Sequence, residues 1–406
     1  MNHASPTSTG PAAAPTRLTG VDVLRGAVMV LMAIDHVRVY SGLPAGGPTP
    51  GIFFTRWVTH FCAPAFIFLA GTSAFLYARR HSDVSRFLFT RGLWLVVLEL
   101  TYFRVMWTFN FEFRQYELAG VIWVIGWCMI LMAGLVRLPV KAIAAVGIAI
   151  VASHNLLDGY VAQLTPTLAD NLTSDVWRVL YVGFFAGPVR VGANGTNLMV
   201  LYSIVPWIGV MATGYAFGTI LQLPAGRRDR LCVVIGATAT LLFIALRLFN
   251  HYGDPNPWSP PSNTPEGPHL PAPLSFLATT KYPASLDFLL MTLGPAIALL
   301  PAASRANGPL ARFLSVFGRV PFFYYALHIP LIHVLALIVS KLRLGEVSWW
   351  LFTNHPMGSP PAPDGYRWSL PMLYAVWAVA IALLYPACRW MADVKQRRRE
   401  AWLKYV

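Results

Sequence analysis

The sequence predicts an all-α polytopic membrane protein, a bundle of about ten transmembrane helices with both termini on the cytoplasmic side. Three observations predict it. The chain has 406 residues, of which 56% are hydrophobic and only 12% charged; a soluble domain carries about twice that charged fraction. Apolar stretches near 20 residues, the length needed to cross a bilayer, recur from end to end. The basic residues are placed asymmetrically. With the N-terminus inside, 20 of the 31 Lys and Arg residues fall in short inside loops, span ends and the C-terminal tail, and the other 11 spread over much longer outside segments. That is the positive-inside pattern. A net charge of +14 is thereby explained by orientation, and nucleic acid is not expected as a partner.

Residues 1–16 are rich in Ala, Pro, Ser and Thr without an apolar run, which reads as a disordered tail and not as a signal peptide. The membrane domain is expected over 17–392 and a basic cytoplasmic tail over 393–406. Spans are expected at 21–41, 57–78, 87–106, 118–136, 140–157, 198–221, 231–249, 282–301, 319–339 and 371–390. Three outside segments are long. Residues 158–197 include the turn signal Asn194-Gly195-Thr196. Residues 250–281 hold eight prolines and read as an irregular lid. Residues 340–370 carry Trp349, Trp350 and Trp368, residues favoured at a membrane interface. Asn171 and Asn194 head Asn-x-Thr sequons, which matter only in a secretory-pathway host. Cys62, Cys128, Cys232 and Cys388 lie in or beside different spans without metal-ligand spacing, so they read as small core residues and no metal is expected. No GxGxxG, Walker A, HExxH or GxSxG motif stands in a suitable context.

The first span is the unusual one. It carries Arg25 near one end and Asp35-His36 near the other. Eleven residues are about three helical turns, so Arg25 and His36 share a face roughly 16 Å apart along the axis. Arginines at span ends also snorkel to headgroups, and polar pairs also glue helices together. Ionisable groups deep in a span nevertheless read as a functional site by default. His60, at the start of the second span, is expected at the depth of His36, where two imidazoles and the Asp35 carboxylate meet. Glu99 and Asp287 need partners, for which Arg25, Lys281 and the histidines are available. Lys281 and Tyr282 mark the outer mouth of the eighth span. In the ninth, Tyr324 and Tyr325 read as core, His328 lies near mid-membrane and His333 farther out.

Leu24-Arg25-Gly26 followed by His36, an Arg-x10-His pattern, resembles the bacterial membrane acyltransferases that O-acetylate surface polysaccharides. An ordered set of stretches is more specific: Val21-Asp22-Val23-Leu24-Arg25-Gly26, Phe61-Cys62-Ala63-Pro64 running on to Gly71-Thr72-Ser73, Val205-Pro206-Trp207-Ile208-Gly209-Val210, Lys281-Tyr282-Pro283, and Phe317-Gly318-Arg319-Val320-Pro321-Phe322-Phe323-Tyr324. Together they resemble the YeiB-like proteins and the catalytic domain of heparan-α-glucosaminide N-acetyltransferase. The resemblance implies an integral-membrane acetyltransferase that uses cytoplasmic acetyl-CoA and acetylates an amine or hydroxyl of an extracytoplasmic, glycan-type acceptor. It departs at one position. The lysosomal enzyme has Asn where this chain has His36, and its catalytic His lies in the following loop, whereas residues 37–59 here contain no His.

On that resemblance His36, Asp35 and His60 are the candidate catalytic residues, and Arg25, Lys281, Tyr282 and His328 are the candidates on the acetyl-CoA side. Imidazole titrates near the working pH and suits a base that deprotonates an incoming hydroxyl or ammonium. Arg25, with its planar donor fork, suits a CoA phosphate. The expected surroundings are a lipid bilayer, with a bacterial inner membrane the expected location, and a homodimer stays open. Two competing functions remain at this point: a proton-coupled transporter with Asp35, His36, Glu99 and His328 as a relay, and a non-catalytic membrane scaffold.

Overall fold

A computed structural model describes residues 19–47, 49–164, 172–192, 195–259, 270–357, 359–398 and 400–404. The tail read at 1–16, the sequon asparagines Asn171 and Asn194, and residues 260–269 of the proline-rich stretch lie outside the described residues.

Helix α1 (Thr19–Ser41) leads through short α2 (Pro50–Trp57) into α3 (Cys62–Ala78). Thr49 caps α2, accepting from Ile52 N, and Pro50 opens it where a missing N–H is tolerated. Helix α4 (Val84–Leu98) passes through a π-helical turn at Glu99–Phe103 into α5 (Arg104–Thr108). Strand β1 (Glu117–Ala119) precedes α6 (Val121–Leu135) and α7 (Val140–Ser153). Next come α8 (Asp158–Leu164), α9 (Leu172–Trp177), β2 (Val189–Val191) and β3 (Thr196–Val200). The last part contains α10 (Ile204–Phe217), α11 (Ala225–Phe249), α12 (Ala272–Phe276), α13 (Leu286–Ala298), α14 (Leu300–Arg305), α15 (Pro309–Arg319), α16 (Pro321–Leu344) and α17 (Leu370–Arg397).

The protein is thus all-α and polytopic, with helix in each of the ten expected spans. By length and hydropathy seven helical stretches suffice to cross a membrane: Pro50–Ala78, Val140–Val161, Ile204–Gln222, Ala225–Phe249, Leu286–Arg305, Pro321–Leu344 and Leu370–Arg397. Of the other expected spans, α1 carries Asp22, Arg25, Asp35 and Arg38, α4 is broken at Glu99, and α6 has only 15 residues. Two expected helix starts are corrected. Residues 118 and 198 lie in strands β1 and β3, which pair in parallel, with β2 antiparallel on the other side of β3. The sheet joins two inter-helix segments far apart in the chain, so local apolarity alone read its strands as the first turns of helices.

Small residues bring the helices together. A Cβ on Gly26 would lie 1.8 Å from the carbonyl oxygen of Leu314, and one on Gly318 would lie 1.9 Å from that of Asp22. Thus α1 and α15 meet backbone to backbone. Gly71 and Gly214 do the same for α3 and α10, against Met211 O and Phe68 O at 2.0 Å each. Lipid gives little hydrophobic drive for helix association, so such close packing carries it instead.

Helix α1 runs through the middle, in contact with α3, α14, α15, α16 and α17. Between Arg25 and His36, three side chains donate to its carbonyls: Cys62 Sγ to Val28 O at 3.0 Å, Tyr324 OH to Met29 O at 2.9 Å, and Trp377 Nε1 to Val30 O at 2.9 Å. The segment after α16 covers the His36 end. Trp368 N donates to Ser41 O at 3.0 Å, Tyr366 OH to Tyr40 O at 2.8 Å, and Trp350 Nε1 to Pro360 O at 2.8 Å. Trp350 and Trp368 are buried in this cover, while Trp349 is exposed.

His355 sits in the same cover, its ring 4.0 Å from that of Trp350. Burial, helped by nearby His333, pushes its imidazole down to about 3. It therefore stays neutral in the fold at pH values where the unfolded chain binds a proton. Stability should fall as pH drops below about 6.5, by up to about 1.4 kcal/mol per unit from this residue. His355→Phe should flatten the dependence of thermal unfolding on pH between 6.5 and 4; an unchanged slope would remove His355 as its source.

Candidate functional site

Two cavities lie along α1, one near each end of the Arg25–His36 face. The first has a volume of about 550 Å³, within the ordinary range for a small-molecule site. Asp35, His36, Arg56, Glu99, Lys281 and Tyr282 are among its walls, with Trp350 and His355 from the cover. The second has a volume of about 340 Å³ and is lined by Arg25, Arg91, Arg319 and Lys395, with Ser73 and Tyr77. Phe66, Val121 and Tyr325 belong to both walls, so the cavities abut there.

In the second cavity Arg25 donates to Ser73 Oγ at 3.0 Å and to Gly318 O at 3.4 Å. Gly318 can supply that carbonyl because the α1–α15 approach is so close. Among the described residues four cationic side chains and no carboxylate line this space, and Arg319 Nε is buried without a hydrogen-bond partner. The donor set suits a polyanion. In the sequence Arg91 and Lys395 count only toward orientation, and Arg319 stands in one of the family-like stretches without a role of its own. They come from α4, α15 and α17, and folding alone gathers them around Arg25.

In the first cavity Asp35 does not orient His36. Its carboxylate accepts from Arg38 Nε at 2.7 Å and faces Arg56 Nη1 at 3.6 Å. Neighbouring positions on a helix diverge by about 100°, which sends Asp35 and His36 to different partners. The i,i+3 spacing of Asp35 and Arg38 is a signal that sequence reading could have used. Asp35→Asn would leave two arginines in a largely buried wall without their carboxylate. Thermal unfolding in detergent should show a loss of about 3 kcal/mol, and an unchanged melting temperature would count against the ion pair as a structural element.

His36 Nδ1 lies 2.6 Å from Nε2 of His328, and the Trp107 ring packs edge-on at 4.9 Å. His328 is fully buried and lines neither cavity; it lies behind His36 and not in the Arg25 cavity. Among the described residues no ring contact or hydrogen bond joins His60 to His36. His60 is buried against Phe288 with both ring nitrogens unpartnered, and it does not line the cavity; Thr59 does. Lys281 and Tyr282 lie in the His36 cavity, away from Arg25. The Lys281 ammonium sits 5.9 Å and 5.2 Å from the ring centres of Tyr202 and Tyr282, a cation–π arrangement.

Glu99 takes none of the expected partners. The π turn carries its carboxylate against the start of α6, where a Cβ on Gly120 would lie 2.2 Å from Glu99 Oε1, and Glu99 Oε2 is buried without a hydrogen-bond partner. Helix N-termini favour negative charge, and π turns recur at functional sites. Asp287 likewise forms no ion pair or hydrogen bond with a cation or a histidine among the described residues, and its Oδ1 is buried and unpartnered beside Gly253. Tyr325 packs as expected for a core residue, but it also touches both cavities.

Residues 17–246 match the family model described as heparan-alpha-glucosaminide N-acetyltransferase, catalytic. The match contains Arg25, Asp35, His36 and His60 and ends within α11, before Lys281, Tyr282, Arg319 and His328. A comparison with curated proteins finds no match. The match spans more than half of the chain, and its helices have the length and hydropathy of membrane spans. The chain therefore belongs to the heparan-α-glucosaminide N-acetyltransferase catalytic-domain family, a family of membrane acetyltransferases, and is a multi-pass membrane protein.

Proposed function

We propose that the protein moves an acetyl group from cytoplasmic acetyl-CoA, held at the Arg25 cavity, to an amine or hydroxyl of an extracytoplasmic, glycan-type acceptor in the His36 cavity. On this reading both termini lie in the cytoplasm, and the membrane is a bacterial inner membrane. The observation that carries the reading is the pair of abutting cavities, one ringed by cations and the other bearing an imidazole, with α1 running past both. Arg25, Arg91, Arg319 and Lys395 fit the phosphates of CoA, and the unpartnered Arg319 Nε supplies an unused donor. Bound there, acetyl-CoA supplies an activated thioester. His36 takes the proton from the acceptor, which makes its nitrogen or oxygen nucleophilic. Phe66, Val121 and Tyr325, shared by both walls, stand between the two cavities and limit the leakage of water and solutes.

The test is acetyl-CoA binding to detergent-purified protein. Wild type should bind, and Arg25→Ala should weaken binding about tenfold, the loss of one charge-assisted phosphate contact. Absence of binding by wild type would overturn the reading. Solute flux in proteoliposomes abolished by Asp35→Asn would favour transport instead.

A further inference from the structure

His36 forms its hydrogen bond with another imidazole and not with an acid. The two ring centres are 4.8 Å apart and the planes lie 26° from parallel, as expected for rings joined edge to edge through the 2.6 Å contact between His36 Nδ1 and His328 Nε2. The direction of this bond is set one step further back. His328 Nδ1 lies 2.8 Å from Tyr325 O and 3.1 Å from Tyr324 O. Carbonyl oxygens only accept, so this nitrogen carries a proton. In a neutral ring the other nitrogen, Nε2, is then a bare acceptor. His36 must donate from Nδ1, which leaves the lone pair on its Nε2.

The arrangement has little freedom. His328 is completely buried, its ring lies 5.1 Å from that of Tyr324 and 17° from parallel, and Tyr324 is itself tied to Met29 O of α1. His36, in contrast, lines the outer cavity and is only partly buried. The tautomer of the reachable ring is thus dictated by the backbone of α16 through a ring that nothing can reach.

We infer that His328 is a positioning residue that fixes His36 in its Nδ1–H tautomer, so that Nε2 of His36 is the base. The inference rests on the reading of His36 as base in acetyl transfer. In the forward step the acceptor N–H or O–H bond breaks. Its proton goes to His36 Nε2, and its electron pair forms the bond to the acetyl carbon. The thioester C–S bond breaks, and the leaving sulfur recovers that proton from Nε2 as CoA thiol. Throughout, His36 keeps its Nδ1 proton and gives a stronger, charge-assisted bond to His328 while it is cationic. A buried Asp plays this part in the Ser-His-Asp arrangement; a neutral imidazole with a fixed proton does the same without placing a second charge in the membrane.

Two variants and one spectroscopic readout test it. His328→Phe keeps a flat ring and removes the acceptor. It should lower kcat by at least about 100-fold while the KM for acetyl-CoA, set at the other cavity, stays unchanged. His328→Gln returns an acceptor oxygen and should recover kcat to within about tenfold of wild type. Equal loss in both variants, or wild-type kcat in His328→Phe, would overturn the inference. Nitrogen-15 NMR of histidine-labelled wild type, with His36 assigned by loss of its signals in His36→Asn, reads the tautomer directly. It should show a protonated Nδ1 and a bare Nε2, and a protonated Nε2 on neutral His36 would overturn the inference without any turnover assay. If wild type transfers no acetyl group, the functional reading falls, and the tautomer result still judges the His36–His328 pair.

Discussion

His36→Ala retains acetyl-CoA binding and loses turnover by a factor of about 10²–10⁴, the usual contribution of a positioned general base. Both halves of this expectation come from the separation of the two cavities. The imidazole lines the first cavity only, whereas the cations around Arg25 line the second. Removing the imidazole therefore leaves the cationic surroundings of Arg25 in place. The check is binding and acetyl-CoA hydrolysis measured on the same detergent preparation, followed by transfer to amino- and hydroxyl-bearing sugars. Arg25→Ala should give the complementary pattern, with weaker binding. A His36→Ala protein that turns over at the wild-type rate would remove His36 from the chemistry. Because residues 37–59 contain no other His, it would also leave the region that supplies the catalytic His in the resembled enzyme without a replacement.

Gly26→Val should prevent α1 from seating on α15, with a loss of stability at or beyond the upper end of the roughly 1–3 kcal/mol usual for overpacking. The added Cβ would lie 1.8 Å from Leu314 O and 2.6 Å from Leu314 C, which are backbone atoms of a helix that cannot rotate aside. The helices would have to part, and Arg25, the next residue, would lose its contact with Gly318 O. Gly134→Val is the matched control. Gly134 lies near the end of α6, exposed, and a Cβ there meets nothing within 4 Å. Thermal unfolding in detergent should show a marked drop for Gly26→Val and little change for Gly134→Val. Similar melting temperatures for the two would mean that the close α1–α15 approach does not govern stability.

The membrane class, the positions of the helices and the central place of the first span were legible in the sequence, because each depends on local composition. A run of apolar residues near 20 needs a bilayer wherever its neighbours lie, and an Arg and a His three turns apart share a helix face by geometry alone. The family was legible as well, since Leu24-Arg25-Gly26 and Phe61-Cys62-Ala63-Pro64 are contiguous motifs. What folding decided is which polar groups meet. Asp35 turns to Arg38 and Arg56, His36 turns to His328 across 292 positions of chain, and Glu99 lies against Gly120 at the start of α6. The β1–β3–β2 sheet and the cavity formed around Arg25 by Arg91, Arg319 and Lys395 likewise join segments that only packing brings together. The physical reason is the same in each case. The cost of an unpaired polar group in the membrane demands that a partner exist, and the sequence states that demand, but the partner's identity follows from which backbones the glycines allow to approach.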